Sequence, residues 1–578
     1  MTFASRSRHV AVAALALTAV LSLRAQSPLL FRDVTASAGV TFQHHSAADK
    51  RFIVESMSGG VALFDYDNDG RPDIYLLDSL TVDTAGDPSK SQSALFRNLG
   101  DMRFENVTAK SGLGSIGWGM GVCTADVDGD GFEDVYVTSL GGSRFFHNNR
   151  NGTFSDATQA SGLAVSGWPA GCGFADYDHD GRLDLFVSRY VKIDLEHLPQ
   201  FGASKTCMYR GIAVQCGPRG LPGETDVLFH NDGTGHFTDV SEKAGVSDPK
   251  GLFGLGVAWF DYDTDGWPDL YVANDSGPNF LYRNQGNGTF KDMAFPLGVA
   301  VSDDGAEQGS MGVALGAYTN GPRFSLFVTN FSEEYNALYR NEEQRFVDAS
   351  FQSNTAASSL PYVGWGTAFL DYDNDTLPDL IAVNGHVYPQ LDAAHLGASA
   401  SYRQRKLLYH NRGNGTFDEV AAQYGSVLTE PRVSRGLAIS DLDGDGRIDV
   451  VINDLDGAPQ LLHNEFEPKG HWLEVTLRGN APNTSAIGAV VTVETSGVRQ
   501  MRLVQSGTGY LSQDDKRLHF GLGAADRADA VTVLWPDGTK TTVPSASADQ
   551  VLTVTEGSSS RRAADCTSRP RRRRASPT

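Results

Sequence analysis

The chain is short of several things that would have narrowed its function at once. Beyond the first two dozen residues no apolar run approaches twenty residues, which argues against a membrane-spanning domain. Lysine and arginine number 48 against 70 aspartates and glutamates, a formal net charge of −22, and that balance is no signature of nucleic-acid binding. There is no G-x-S-x-G elbow, no H-E-x-x-H, no phosphate loop and no paired catalytic motif. Cysteine is limited to five residues, which fits an exported protein with a few disulfides.

The N-terminus agrees with export. Arg6 and Arg8 precede the apolar run Val10 to Leu23, followed by Arg24-Ala25-Gln26. That order describes a secretory signal peptide over residues 1–25, too short for a comfortable membrane span, and it sends the mature chain to the periplasm or out of the cell. Cys207 and Cys216 bracket a short glycine-containing loop and are expected to pair. Cys123 and Cys172 stand three and four residues ahead of two acidic loops, an offset that points them to opposite strand faces. A bridge between stacked sheets and two buried free thiols are both open. Cys566 is left over in the tail.

What the chain has is ordered aspartate. Asp65-Tyr66-Asp67-Asn68-Asp69-Gly70-Arg71-Pro72-Asp73 reads D-x-D-x-D-G-x-x-D and runs into Ile74-Tyr75-Leu76-Leu77. The pattern recurs at Asp126, Asp128, Asp130 and Asp134, at Asp176, Asp178, Asp180 and Asp184, and at Asp261, Asp263, Asp265 and Asp269. Two further copies are Asp371, Asp373, Asp375 and Asp379, and Asp441, Asp443, Asp445 and Asp449. A stretch of the same length, Ala317 to Ser325, has no carboxylate. Six loops of four aspartates hold 24 carboxylates, so the acidity is mostly local to them.

Calcium takes six to eight oxygens in a tolerant geometry, and carboxylates at positions 1, 3 and 5 of a tight turn point to one side. Glycine at position 6 permits the sharp bend. Position 7 is Arg71, Phe132, Arg182, Trp267, Leu377 or Arg447, an indifference that fits a backbone carbonyl ligand. Position 9 is aspartate in all six, which closes the cage. An EF-hand would need glutamate at position 12; here Leu76, Val137, Val187, Val272, Ala382 and Ile452 stand there, each in a β-type run, so that reading is rejected. Aspartate and glycine are good turn formers, which explains one copy more easily than six in register. In one copy Thr376 replaces the glycine, and a strained or weaker site is expected there. Up to six calcium ions follow.

Each repeat reads as four strands, for example Gly256 to Phe260, Leu270 to Ala273, Phe280 to Asn284 and a strand from Thr289-Phe290 after the turn Gly286-Asn287-Gly288. Seven such units make an all-β chain whose simplest closed form is a seven-bladed β-propeller over residues 29–468. The last unit lacks its fourth strand, and the orphan strand 31–35 is expected to supply it and close the ring. Acidic loops should share one face with the Asn-Gly turns, and the long insertions Ser79 to Ser93, Arg189 to Asp226 and Gly385 to Lys406 should crowd the other. Trp118, Trp168, Phe253 and Trp365 precede their loops by similar distances, as an aromatic stacking ring or as plain packing between blades. Tyr209, Arg210, His386 and Tyr388 on the insertions are equally open to binding or to solvation. From His471 short strands such as Trp472 to Leu477 and Ala530 to Trp535 indicate a small β-sandwich-like domain over 470–556. Residues 557–578, with Arg571 to Arg574 contiguous, read as a disordered basic tail.

These loops resemble the FG-GAP/VCBS-type repeats of integrin-like propellers. Gly488 to Val493, Ser506 to Gln513 and Val533 to Gly538 look like the ASPIC/UnbV domain, and the pairing is similar to the cartilage acidic protein 1-like family. The resemblance implies an extracellular calcium-binding propeller and carries no ligand onto Ala317 to Ser325. Three functions then compete: a binding or adhesion module for a protein or glycan, a polysaccharide lyase or hydrolase with its site opposite the calcium loops, and a spacer presenting Gly507 to Gln513 as a contact loop.

Overall fold

The computed structural model describes residues 31–557 apart from 206, 344, 396–399 and 468–469; the expected signal peptide, Cys566 and the basic tail lie outside the described residues. Burial falls outward along each repeat. In the second, all eight residues of Trp118–Ala125 are buried, as are all but the last of Asp134–Leu140. Arg144–Asn148 is mixed, and Phe154–Asp156 keeps one buried phenylalanine followed by two exposed residues. A strand apolar or small on both faces must lie between two others, so the first strand is innermost.

Seven four-stranded antiparallel sheets of this kind begin at Val61, Trp118, Pro169, Gly254, Val313, Gly364 and Ser434, and are numbered here as blades 1 to 7. In blade 7, Ser434–Ser440, Asp449–Asp454 and Gln460–Asn464 are completed by Phe31–Asp33, with Phe31 opposite Asn464. The fold is a seven-bladed β-propeller. After several fourth strands comes a single helical turn, such as Thr108–Ser111 stopped by left-handed Gly112, which the strand pattern had not indicated.

Seven glycines record the closure. Gly60, Gly121, Gly171, Gly256, Gly312, Gly366 and Gly436 occupy one equivalent place each on the inner strands. A Cβ on them would lie 2.8 Å from Met120 O, 2.7 Å from Ala170 O, 2.0 Å from Leu255 O, 2.4 Å from Met311 O, 2.2 Å from Trp365 O, 2.8 Å from Arg435 O and 2.3 Å from Gly59 O, respectively. Each oxygen belongs to the next blade, and the series returns to blade 1. Only glycine lets the backbones approach so closely.

The C-terminal domain packs two sheets around Val475, Val491, Val493, Phe520, Val531 and Val533. One sheet orders Leu518–Gly523, His471–Arg478 and Gln550–Thr555, the last pair parallel. The other orders Val498–Leu503, Val490–Thr495, Ala530–Leu534 and Lys540–Val543, all antiparallel.

Between these sheets' strands, Gly507 to Gln513 leaves the sandwich and fills the propeller channel. Gly509 exchanges backbone hydrogen bonds with Val313 at 2.9 and 3.0 Å, Gln513 N donates to Val61 O at 2.9 Å, and Val122 N donates to Leu511 O at 3.2 Å. At the tip Tyr510 is fully buried; its hydroxyl donates to Met57 O at 2.6 Å and its ring stands edge-on to Trp365, centroids 4.8 Å apart. The stretch that one of the three competing functions made an exposed contact loop is therefore a plug, because the inner-strand backbone offers the partners that buried N–H and C=O groups require. Trp118, Trp168 and Trp365 are likewise buried in one core with Tyr510, capped by insertion residues Leu80 and Val191. They pack rather than present faces. The Cys123–Cys172 disulfide joins the inner strands of blades 2 and 3, and Cys207–Cys216 closes a loop in the blade 3 insertion. No helix among the described residues is long and apolar enough to cross a membrane.

Candidate metal centre

Each acidic loop joins the first and second strands of its blade, and its carboxylates divide the work by position. Position 1 folds the turn over itself: Asp65 accepts Asp69 N at 3.0 Å and Gly70 N at 2.7 Å, and Asp126, Asp176, Asp261, Asp371 and Asp441 repeat the pair. At position 5, Asp69, Asp130, Asp180, Asp265, Asp375 and Asp445 accept the backbone N–H of Arg71, Phe132, Arg182, Trp267, Leu377 and Arg447. Position 9 is buried throughout: Asp73, Asp134, Asp184, Asp269, Asp379 and Asp449 each accept a third-strand asparagine N–H at 2.7–2.9 Å.

Position 3 is different. Asp67, Asp178, Asp263, Asp373 and Asp443 each have a buried Oδ1 with no hydrogen-bond donor. A buried carboxylate oxygen left without a partner is costly. In loop 1, oxygens of Asp65, Asp67 and Asp73 lie within 4.8 Å of one another. Burial pushes Asp73 and Asp269 up to about 8, Asp184 and Asp379 to about 7 against the opposing pull of His230 and His410, and Asp65, Asp126, Asp176 and Asp261 to about 6. Converging carboxylates with orphaned oxygens at one point of the cage, joined in four loops by a histidine nitrogen, could hold a divalent cation.

The fifth loop makes no such cage. Asn320 at its position 4 has φ +53°, like Asn68 at +57° and Asn374 at +59°, but Pro322 occupies the glycine position and no carboxylate is present. Thr376 in loop 6 sits at φ +85°, where Gly70 has +88°, so the strain expected of that loop is present in its backbone.

Sequence reasoning gave no role to the basic residue and asparagine that end every third strand. His147, His230, His410 and His463 bring a ring nitrogen within 4.8 Å of their loops' carboxylate oxygens. In loops 1 and 4 the same place holds Arg97, which pairs with Asp67 at 2.7 Å and Asp69 at 2.9 Å, and Arg283, which pairs with Asp263 at 2.7 Å and Asp265 at 2.9 Å. The asparagines link blades. The Nδ2 groups of Asn98, Asn148, Asn231, Asn284, Asn341, Asn411 and Asn464 donate to Leu442, Tyr66, Val127, Tyr177, Tyr262, Tyr318 and Tyr372 carbonyls of the preceding blade. The signal was the recurrent Arg-Asn or His-Asn pair.

The C-terminal domain sits on this acidic face. Thr484 donates to Asp126, Arg517 Nη2 donates to Asp441 O at 2.7 Å, and His519 Nε2 bonds Gly446 O at 3.1 Å. On the opposite face His386 is buried rather than solvated, in an aromatic cluster with Tyr209, Phe331 and Tyr388. Its Nδ1 accepts Val387 N at 2.9 Å and Tyr388 N at 3.3 Å, so its proton is on Nε2 and goes to Ser332 Oγ at 3.3 Å. That tautomer cannot serve as a base toward Ser332.

A family model of the FG-GAP-like repeat matches residues 65–137, 126–187, 220–272, 261–320 and 398–452, and one of ASPIC and UnbV matches residues 479–561. Cartilage acidic protein 1 from Mus musculus is 29% identical over 306 residues, 52% of this chain and 44% of that protein. The Homo sapiens protein of the same name is 28% identical over 306 residues, 52% of this chain and 43% of its own length. The match thus spans less than half of these relatives. The BP39L lectin from Burkholderia pseudomallei covers 71% of this chain and 95% of its own at 11% identity and a TM-score of 0.41, a level that carries no statement about ligand.

Proposed function

Because the chain carries FG-GAP-like repeats and a C-terminal ASPIC and UnbV domain and is homologous to cartilage acidic protein 1, we propose that it is an exported, calcium-stabilised binding or adhesion module for a protein or glycan. The observation that carries this reading is the row of partnerless position 3 oxygens on Asp67, Asp178, Asp263, Asp373 and Asp443. The carboxylates at positions 1, 3, 5 and 9, with the carbonyl at position 7, would hold up to six ions. A bound ion would neutralise each cage and tie the loop to the third strand through position 9. That rigid rim would keep the insertions in place as a recognition surface. Export agrees with two disulfides. The test is metal analysis of the purified mature protein together with a glycan and matrix-protein array run in calcium and in chelator. Absence of bound calcium would sink the metal half of the proposal, and an array with no calcium-dependent ligand would sink the binding half.

A second reading, a polysaccharide lyase or hydrolase acting on the face away from the acidic loops, is favoured by one observation. Asp275 of blade 4 accepts the Tyr190 hydroxyl at 2.6 Å, and Glu334, pushed up to about 7 by burial, accepts Gly309 N at 2.6 Å beside it. Two carboxyl groups from different blades are what acid–base chemistry would use. Release of new chain ends from a polysaccharide panel, lost in Glu334→Gln, would establish this reading, and no turnover would remove it.

A further inference from the structure

The C-terminal domain does not cover the acidic face evenly. It touches loops 2, 6 and 7, meets loop 3 through Pro482 and packs Val490, Met501 and Leu503 into the core of blades 4 and 5, leaving a cleft of about 550 Å³ beside blades 3 to 5. That volume lies within the range of pockets that enclose a small molecule. One wall is the outer face of the four-stranded sheet. Val491, Val493, Val531 and Val533 point into the sandwich core, so the alternating Val490, Thr492, Met501, Leu503, Thr532 and Leu534 face the cleft. Val490, Met501 and Leu503 pack in the core of Phe260 and Phe324, so the apolar surface left open to the cleft centres on Leu534, 38% exposed where a sheet face turned to solvent ordinarily carries polar residues.

The facing wall is aromatic. Trp267 of loop 4 stacks on His179 of loop 3 with centroids 4.1 Å apart, and Trp259 and Phe324 lie beside it. The floor is the one loop that has lost its carboxylates, Pro322-Arg323-Phe324; Arg323 holds position 7, as arginine does in loops 1, 3 and 7, so this loop differs by the acid it lacks, and the Arg323 guanidinium pairs with Glu343 at 3.3 Å. Arg499 and Lys540 complete a cationic rim, and neither has an ion pair among the described residues. Asp176, Asp261, Asp265 and Asp537 also line the cleft; the first three belong to cages 3 and 4, so the charge balance rests on those cages holding their ions, and Asp537 accepts Thr539 N and Oγ1 within its own turn.

We propose that this cleft binds a small amphipathic anion, an apolar body bearing one carboxylate or sulfonate group. The apolar sheet face and the Trp267 edge take the body, and Arg323, Arg499 and Lys540 take the charge. The displaced carboxylates of blade 5 make room for it. An anion over a complete rim of cages would meet acid on every side, and over blade 5 it meets a loop with no carboxylate.

The probe is 1-anilinonaphthalene-8-sulfonate, titrated into the full chain in calcium, with energy transfer from tryptophan as the signal and bound calcium measured on the same sample. The expected result is one saturable site whose Kd rises about tenfold in Leu534→Asp and about threefold in Arg499→Glu or Lys540→Glu. The uncharged analogue N-phenyl-1-naphthylamine should bind more weakly. Leu534 and Lys540 are exposed, so these variants test the site without threatening the fold, and an unchanged melting temperature verifies that. Calcium bound without a saturable probe site overturns the cleft alone. So does probe binding indifferent to all three substitutions, or tighter binding of the uncharged analogue. No calcium bound overturns the ion reading and, with Asp176, Asp261 and Asp265 then uncompensated, the anion preference of the cleft with it.

Discussion

Blade 5 carries no loop carboxylate and blade 6 carries four, yet the two are built into the ring in the same way. Asn341 donates to Tyr262 O at 2.8 Å and Asn411 to Tyr318 O at 2.8 Å. Gly312 and Gly366 approach the next blade's carbonyls alike, with room for no Cβ at 2.2 and 2.8 Å. Even the loop turn begins identically, with left-handed Asn320 and Asn374 at position 4. The ring is therefore held by glycine and asparagine, and the aspartate cages are laid over a frame that forms without them. In blade 6 that overlay leaves Asp373 Oδ1 buried and partnerless, while blade 5 has no such debt.

Stripping the ions tests the overlay and should have the largest effect. In the ion-free protein Asp73 and Asp269 titrate near 8, and Asp184 and Asp379 near 7, all raised by burial from an ordinary 3.8. The folded state then holds protons that the unfolded chain has already released. Its stability is fullest below the ordinary carboxyl range and is lost as pH rises from about 4 through 8. Calcium would replace those protons and remove the slope. Calorimetry of metal-free and calcium-loaded protein should show a melting gap of at least about 10 °C at pH 8 that narrows towards pH 5. Equal melting temperatures at both pH values would mean that the cages bind nothing of consequence.

The frame itself is broken by Gly312→Ala. A methyl group 2.2 Å from Trp365 O forces the inner strands apart and should cost about 3 kcal/mol. Because blade 5 has no cage, the loss should be the same in calcium and in chelator. A calcium-dependent loss would show that frame and cages are not separable.

A subtler division follows from the asparagines. Asn341→Ala removes one half-buried hydrogen bond between blades and should cost about 1 kcal/mol, and Asn411→Ala removes a buried one together with its bond to Pro378 O and should cost about 2 kcal/mol. Asn411 also gives its backbone N–H to Asp379 at 2.7 Å, so its strand is tied to a cage and the cost in blade 6 should grow when ions are removed. Denaturant unfolding of the pair with and without chelator reads this difference directly, and parallel behaviour in the two blades would count against it.

The same separation explains what could be read from the residues alone. Repeated loops and strand alternation are local and periodic, so the sevenfold propeller and the β-sandwich-like domain were legible from spacing. The channel plug was not. Ser506 to Gln513 is a glycine-rich stretch whose local pattern fits an exposed turn, and its burial depends on the bore left by seven close-packed inner strands. His147 and Arg97 were missed for a related reason: the basic residue before each third-strand asparagine recurs once per blade, but its meaning comes from the loop folded above it, which sequence spacing does not show. His386 was open to a solvated reading because nothing local distinguishes a polar loop residue from one enclosed by Tyr209, Phe331 and Tyr388.

The smallest expected effect sharpens the comparison within blade 6. Thr376 holds φ +85°, a conformation that suits Gly70 at +88° and Gly266 at +93° and that a β-branched residue adopts only under strain. Its amide nevertheless donates to Asp371 at 2.9 Å, so the cage hydrogen bond is made despite the side chain. Thr376→Gly should therefore stabilise the protein by about 1 kcal/mol, the relief of strain exceeding the added flexibility of the unfolded chain. Where an ion occupies this loop, the gain should be larger in calcium than in chelator, because only the ion-bound loop must hold the turn rigidly. A melting temperature that falls on substitution would show that blade 6, like blade 5, has departed from the cage geometry rather than strained to keep it.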